Sequence, residues 1–465
     1  MLFNSIAFVI FFPVVTILFF LLPHRFRWML LLIASCFFYC FFIPVYLLIL
    51  FAIILIDYTA GLLIEKNNGY KKIWLLASIT ANLSVLGIFK YYNFFISNIN
   101  DVSGTHFTLL NFILPIGLSF HTFQAMSYTI EVYKGKFPAE RHLGIYALYV
   151  MFYPQLVAGP IERPQHMFPQ FKKQQHFNWQ NILDGVRLML WGFFKKLVIA
   201  DRISSYVAAI FNSPEKYAPV NVCIGIVLFS VQIYCDFSGY SDIAIGSAKT
   251  MGFNLMLNFN RPYHSSNLRQ FWQRWHISLS SWFRDYVFIP LGGSHKAFIF
   301  TAINLLIVFF LSGLWHGAGW NFIVWGLLHG IGLIVYNLIS GRNRKDNFSF
   351  IGWFVTMLFV FFSWVFFRAN SFQNAMLVID VAKNIVHDQT YIQSFSYQNF
   401  MYGNTNLLFV SICIGGMFLF EKYTDPLLLK MNKYKLGDIL FCCFTIFLIL
   451  FFGVMSNQSF IYFQF

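Results

Sequence analysis

Charge is what this chain has least of. Only 11% of its 465 residues are Asp, Glu, Lys or Arg, and acidic residues number 18 against 32 basic. A soluble domain keeps about a quarter of its residues charged, so an ordinary water-facing surface is excluded. Cysteine is also scarce in any arrangement that would matter. Cys36, Cys40, Cys223, Cys235, Cys413, Cys442 and Cys443 form no C-x-x-C pair and have no histidines at metal spacing. That argues against a structural zinc site and a disulfide framework. No P-loop and no GxGxxG in a strand-to-helix setting is present, so nucleotide hydrolysis and dinucleotide redox chemistry lack their phosphate cradle. Repeats, heptads, low-complexity tracts and linkers are missing too, which leaves one domain over 1–465 as the expectation.

What fills the chain is apolar: 58% hydrophobic and 21% aromatic residues. A span takes about 20 apolar residues. Candidates fall near 2–22, 28–42, 44–64, 73–95, 108–130, 187–212, 220–248, 298–315, 318–340, 350–367, 405–420 and 437–455. The reading is an all-α polytopic membrane protein with roughly eleven or twelve crossings. The first run has no basic residue before it and no small-residue cleavage site after it, while His24, Arg25 and Arg27 follow directly. A retained first helix with its N-terminus outside is therefore expected, and parity places the C-terminus outside as well. The net charge of +14 is spread through short loops on one side. A positive-inside bias facing anionic headgroups explains it without nucleic acid.

Two segments do not read as plain crossings. Residues 143–162 are apolar but broken by Pro154, Gly159 and Pro160, with basic residues on both flanks, which suits a re-entrant segment. Residues 262–296 mix Trp, Arg and His too densely to cross lipid and read as short interfacial helices. The outer segment 368–404 is long enough to dock a partner.

Between Phe271 and Gly330 lie His276, His316 and His329, inside or beside apolar segments. Ionisable groups at membrane depth tend to face a cavity or a substrate path. Gly313, Gly317 and Gly319 flank Trp315-His316 and let the backbone bend or pack closely there. A buried neutral imidazole is a general base fit for hydroxyl attack on a thioester or ester, so His316 leads and His276 assists. The plainer alternative for each is a packing histidine bonded to backbone, or one in an aromatic belt. Helical spacing groups His276 with Ser280 and Phe283. His329, thirteen residues beyond His316, is expected to be structural or tunnel-lining. Asp236, Ser238 and Tyr240 suit a polar vestibule, or hydrogen-bond partners for His276 and the arginines, and with Trp315 are candidate substrate contacts. Arg261, Arg269, Arg274 and Arg284 suggest one cationic funnel for a polyphosphorylated donor, with anionic lipid contact as the competing explanation. Asp57 and Lys90 fall near expected span ends, where snorkelling accounts for them. His121 is a weaker cavity-lining candidate.

The stretches YCDFSGYSDIAIG, NFNRPYHSSNLRQFWQRWHISLSSWFRDYVFIPLGG and LSGLWHGAGWNFIVWGLLHG resemble the membrane-bound O-acyltransferase (MBOAT) family. LPIGLSFHTFQAMSY, AGPIERP and WVFFRA extend the resemblance over about 110–370. Within the family the chain is most similar to the bacterial branch holding the membrane subunits of alginate and peptidoglycan O-acetyltransferases. The resemblance implies that His316 is the catalytic histidine and His276 a second active-site histidine. It also implies acetyl-CoA as a cytoplasmic donor substrate, with no bound cofactor. The acetyl group would cross the inner membrane to a periplasmic SGNH-type O-acetyltransferase partner that esterifies a polysaccharide. Gln273 departs from a position often basic in relatives, and Gly319 from one often Asn. A transporter or flippase using the histidines as a proton relay is the alternative, although the internal symmetry it would call for is not found.

Overall fold

The computed structural model describes residues 1–66, 69–157, 159–295, 297–340, 348–386, 406–423, 435–454 and 460–461. Among them there are helices and no strands. The chain parts into two compact units, 1–189 with 241–256, and 190–240 with 257–465. Two of the three boundaries between these units, at 189/190 and 240/241, fall inside helices, which is why no linker is readable.

The first unit is built from α1 (Ile6–Leu21), α2 (His24–Cys40), α3 (Tyr46–Lys66), α4 (Lys71–Ser103), α5 (Leu118–Tyr133), α6 (Leu143–Met151), α7 (Pro164–Lys172) and most of α8 (Trp179–Phe193). The second continues with α9 (Asp201–Asn212), α10 (Pro219–Thr250, whose last turns belong to the first unit), α11 (Leu268–Arg274), α12 (Ile277–Phe283), α13 (Phe298–His316), α14 (Trp320–Ser340), α15 (Phe350–Arg368), α16 (Phe372–Lys383), α17 (Leu407–Tyr423) and α18 (Lys435–Phe452).

Six helices among the described residues are long and apolar enough to cross a membrane: α3, α4, α10, α13, α14 and α15, with α1 and 437–452 as shorter apolar helices. The larger number of expected crossings included stretches that the structure shapes differently. In 108–130 only α5 is helical, and it is buried nearly all round, carrying His121, Gln124, Ser127 and Thr129 inside protein. The stretch 187–212 is interrupted by a π-helical segment, Phe194–Ala200, whose Lys195 and Lys196 are buried. Exposed apolar side chains such as Leu48 on α3 and Ile351 on α15 make the outer surface a lipid-facing one.

The 143–162 segment is not a crossing, because α6 has only 9 residues and the chain then runs without regular structure to α7. Its buried backbone is satisfied by protein, as lipid demands. Gln124 and Gln155 donate to the carbonyl of Tyr149, the Tyr149 hydroxyl donates to the carbonyl of Glu162 at 2.8 Å, and the N–H of Tyr153 donates to Ser35. Asp57 corrects the snorkelling expectation. It sits mid-helix in α3, fully buried, accepting from Ser78 Oγ at 2.5 Å and Asn82 Nδ2 at 2.9 Å on α4. Residues 387–404 of the expected docking segment lie outside the described residues.

In the second unit Lys196 is the hub of a buried ion network. Its Nζ stands 2.5 Å from Asp236 Oδ1 and 2.9 Å from Asp201 Oδ1, with all three side chains at most 4% exposed. Removing the cation would strand two carboxylates. Lys196→Met is expected to lower stability by about 3–5 kcal/mol, and adding Asp201→Asn and Asp236→Asn to recover much of it. Thermal unfolding of the three purified forms measures this, and equal loss in the single and triple variants would contradict it.

Candidate active site

Two backbone features place the leading histidines. The first is a close helix pair. A Cβ on Gly313 of α13 would lie 2.3 Å from the carbonyl oxygen of Phe322, and one on Gly326 of α14 would lie 2.2 Å from that of Phe309. Only glycine allows α13 and α14 to approach so closely. His316 is the last residue of α13, capped by Gly317, over which the Phe322 ring lies. The second is a left-handed turn at His276, φ 44°, between α11 and α12. For a non-glycine residue this costs on the order of 1–3 kcal/mol and persists only where the surroundings hold it. Asn258 does so twice, its carbonyl accepting from the N–H of Ile277 at 2.9 Å and its Oδ1 from Ser278 Oγ at 2.6 Å. His276 therefore caps α12 from outside, and the helical grouping with Ser280 and Phe283 gives way to this turn.

The result is two imidazoles with ring centroids 6.2 Å apart. His316 is 3% exposed and meets the rings of Trp315 and Trp325 at 5.0 Å and Phe367 at 5.3 Å. His276 is 1% exposed, edge-on to Phe237 at 4.7 Å. Burial pushes the His276 imidazole down to about 3, so at neutral pH it is uncharged. His329 comes back toward the pair because α14 returns along α13. It lies between Trp272 and Trp325, at 5.0 and 5.2 Å, and is bonded to Ser363 Oγ at 2.9 Å, a packing role.

The arginines separate. Arg269 and Arg284, with Gln273, line a cavity of about 440 Å³, while Arg274 and Arg261 line another of about 890 Å³. The smaller cavity reaches Ile277, next in chain to His276, and Ser312, one turn before His316. Neither imidazole lines it. Trp272, in its wall, meets Trp325 at 5.9 Å, and Trp325 meets His316.

The proposed vestibule residues have partners within the chain. Asp236 gives one oxygen to Lys196 and the other to the N–H of Ile461 at 2.7 Å. Ser238 accepts from Lys195 Nζ at 2.9 Å, and Tyr240 packs against Phe460. None of the three lines either cavity. His121 sits in the first unit near Tyr39. Gly319 has its side-chain space filled by Asn321 Oδ1, 2.6 Å from where a Cβ would be, so a polar atom occupies the place of the departing residue. Among the described residues no group of His, Cys, Asp and Glu is arranged to hold a metal ion. Sequence reasoning missed Asn258, Lys195, Lys196 and Trp325. Of these only the lysines carried a signal, as charges inside an apolar run.

A family model described as MBOAT, membrane-bound O-acyltransferase family, matches residues 141–379. The chain is 39% identical over 380 residues to a peptidoglycan O-acetyltransferase of Helicobacter pylori, across 75% of this chain and 72% of that one. It is 37% identical over 383 residues to a probable alginate O-acetylase of Pseudomonas aeruginosa, across 81% and 73%. A teichoic acid D-alanyltransferase of Bacillus subtilis is 29% identical over 288 residues, across 57% and 71%.

Since Asn258 holds the strained turn at His276, Asn258→Ala is expected to lower kcat about tenfold with KM little changed, the pattern of a misplaced transition-state contact. Steady-state kinetics with purified protein tests it. A rise in KM alone would count against a positioning role.

Proposed function

This chain belongs to the membrane-bound O-acyltransferase family and is a multi-pass membrane acyltransferase, and from that premise we propose that it O-acetylates a cell-envelope polysaccharide. The names of its relatives support peptidoglycan or an alginate-like polymer as acceptor. Acetyl-CoA is the proposed donor, reaching the site from the cytoplasmic side through the cavity of Arg269 and Arg284, whose cations suit its phosphates. The proposed arrangement in the inner membrane has both termini extracytoplasmic. A periplasmic SGNH-type O-acetyltransferase would complete delivery.

The single observation carrying this reading is the pair of buried imidazoles 6.2 Å apart, just beyond an arginine-lined cavity. In the proposed reaction the acceptor hydroxyl attacks the thioester carbonyl while His316 takes its proton. The tetrahedral intermediate then collapses, the C–S bond breaks, and the thiolate leaves with the proton that His316 returns. His276, held neutral, offers an N–H to the developing oxyanion. Trp272 and Trp325 exclude water from the acyl group, so hydrolysis does not compete.

His316→Ala is expected to leave the protein folded and inserted while transfer from acetyl-labelled acetyl-CoA to envelope polysaccharide falls at least about a hundredfold, the scale of a lost general base. Undiminished labelling by a well-expressed His316→Ala protein would overturn the assignment.

A further inference from the structure

The larger cavity in the second unit takes no part in the reaction proposed above. Its volume is about 890 Å³, and one end is cationic, lined by Arg261, Arg274, Lys422 and His264. The rest is apolar, walled by Trp353, Phe354 and Leu358 of α15 and by Phe418 of α17. Phe350, Phe354 and Leu358, spaced by one helical turn, are 68, 51 and 54% exposed, so this wall continues onto the lipid-facing surface. Among the described residues that line it, none is acidic.

The cationic end is built, not merely exposed. Arg261 holds a left-handed backbone, φ 50°, one residue before a proline-initiated turn over Pro262–His264. The N–H of Asn260 donates to the carbonyl of Arg274 at 2.9 Å, which ties the two arginine positions together. Trp353 Nε1 donates to the carbonyl of Tyr263 at 2.8 Å, fixing α15 to the same turn. Burial, and then the positive charges of Arg274, Arg261 and Lys422, hold the His264 imidazole below its ordinary value. Its buried Nε2 has no hydrogen-bond partner among the described residues. A concentrated positive field and an unused ring nitrogen both point to an anion.

We infer that this cavity is a binding site for an anionic phospholipid, the phosphate at Arg261, Arg274 and Lys422 and an acyl chain along α15 toward the bilayer. The chemistry separates such a lipid from a nucleotide-bearing thioester. A purine and ribose would need polar walls, whereas here the space beyond the cations is aromatic and aliphatic and opens sideways to lipid. Zwitterionic lipids satisfy the groove but not the charge, so the site discriminates by headgroup.

The test uses the full-length protein in mild detergent with equimolar phosphatidylglycerol and phosphatidylethanolamine, read by native mass spectrometry. Wild type should retain one phosphatidylglycerol through delipidation. Arg261→Gln with Lys422→Gln should lower that retention about tenfold, and Leu358→Trp, which fills the groove and keeps the charges, should lower it as well. Because a variant could lose its fold, wild type alone supplies a second measurement. Phosphatidylglycerol carrying a diazirine in its acyl chain should label 350–361 or 414–418. Equal retention of both lipids by wild type, or labelling confined to other segments, would refute the site. Displacement of the lipid by acetyl-CoA would also refute it, by making the cavity a donor entrance, and would leave the assignment of His316 untouched.

Discussion

Two helices with no room for a β-carbon between them set the geometry of the second unit. Lipid tails are as apolar as leucine, so helices in a bilayer gain little by hiding apolar surface from one another, and close packing takes over that role. Gly313 and Gly326 bring α13 and α14 to backbone contact, and the tight turn under the Phe322 ring then leaves His316 as the final residue of α13. From that position Trp325, on the returning helix, stands at 90° to the imidazole. The orientation of the His316 ring follows from two absent side chains.

The same solvent decides what the buried charges do. A carboxylate inside such a protein persists only where its oxygens are occupied, and Asp57 and Asp236 are each held by at least two donors. Groups so engaged hold helices in register and have little capacity left for substrate. The histidine pair differs in kind, since its surroundings are aromatic rings and its strained member is held through the backbone of Ile277 and the side chain of Ser278. These hydrogen bonds hold the turn on which the His276 imidazole stands, and so fix the ring's place.

Much of this is legible in the sequence, and the misses share a cause. The all-α membrane class follows from composition, the broken character of 143–162 from its prolines and glycine, and imidazole in apolar runs singles out His276 and His316, whose rings the fold brings within 6.2 Å. Spacing along an assumed continuous helix misleads in three places. His276 breaks the helix by its left-handed backbone. His329, remote from His316 along the chain, returns through the α13–α14 hairpin to the same aromatic cluster. Arg269 and Arg274, five residues apart on α11, point about 140° from each other by the helical period, so one apparent funnel becomes two cavities. The Asp57 network was invisible for a further reason. It joins α3 to α4 across more than twenty residues, and a local pattern holds no record of such pairing.

A deeply buried pair of imidazoles is a poor place to hold a lone charge and for that reason a suitable one to pass a proton. In the proposed transfer the imidazolium of His316 arises together with the oxyanion of the tetrahedral intermediate, so the enclosure receives a pair of opposite charges and never a lone one. At separations of about 4 Å, the attraction within such a pair is several times stronger than in water. Apolar walls that would penalise either ion alone therefore favour the state in which both are present. Before the hydroxyl arrives the oxyanion does not exist, so in the proposed transfer the pair of charges forms only as the reaction proceeds. A fixed anion beside His316 would stabilise its protonated form in the resting enzyme, and the base would already be spent when the acceptor reached it.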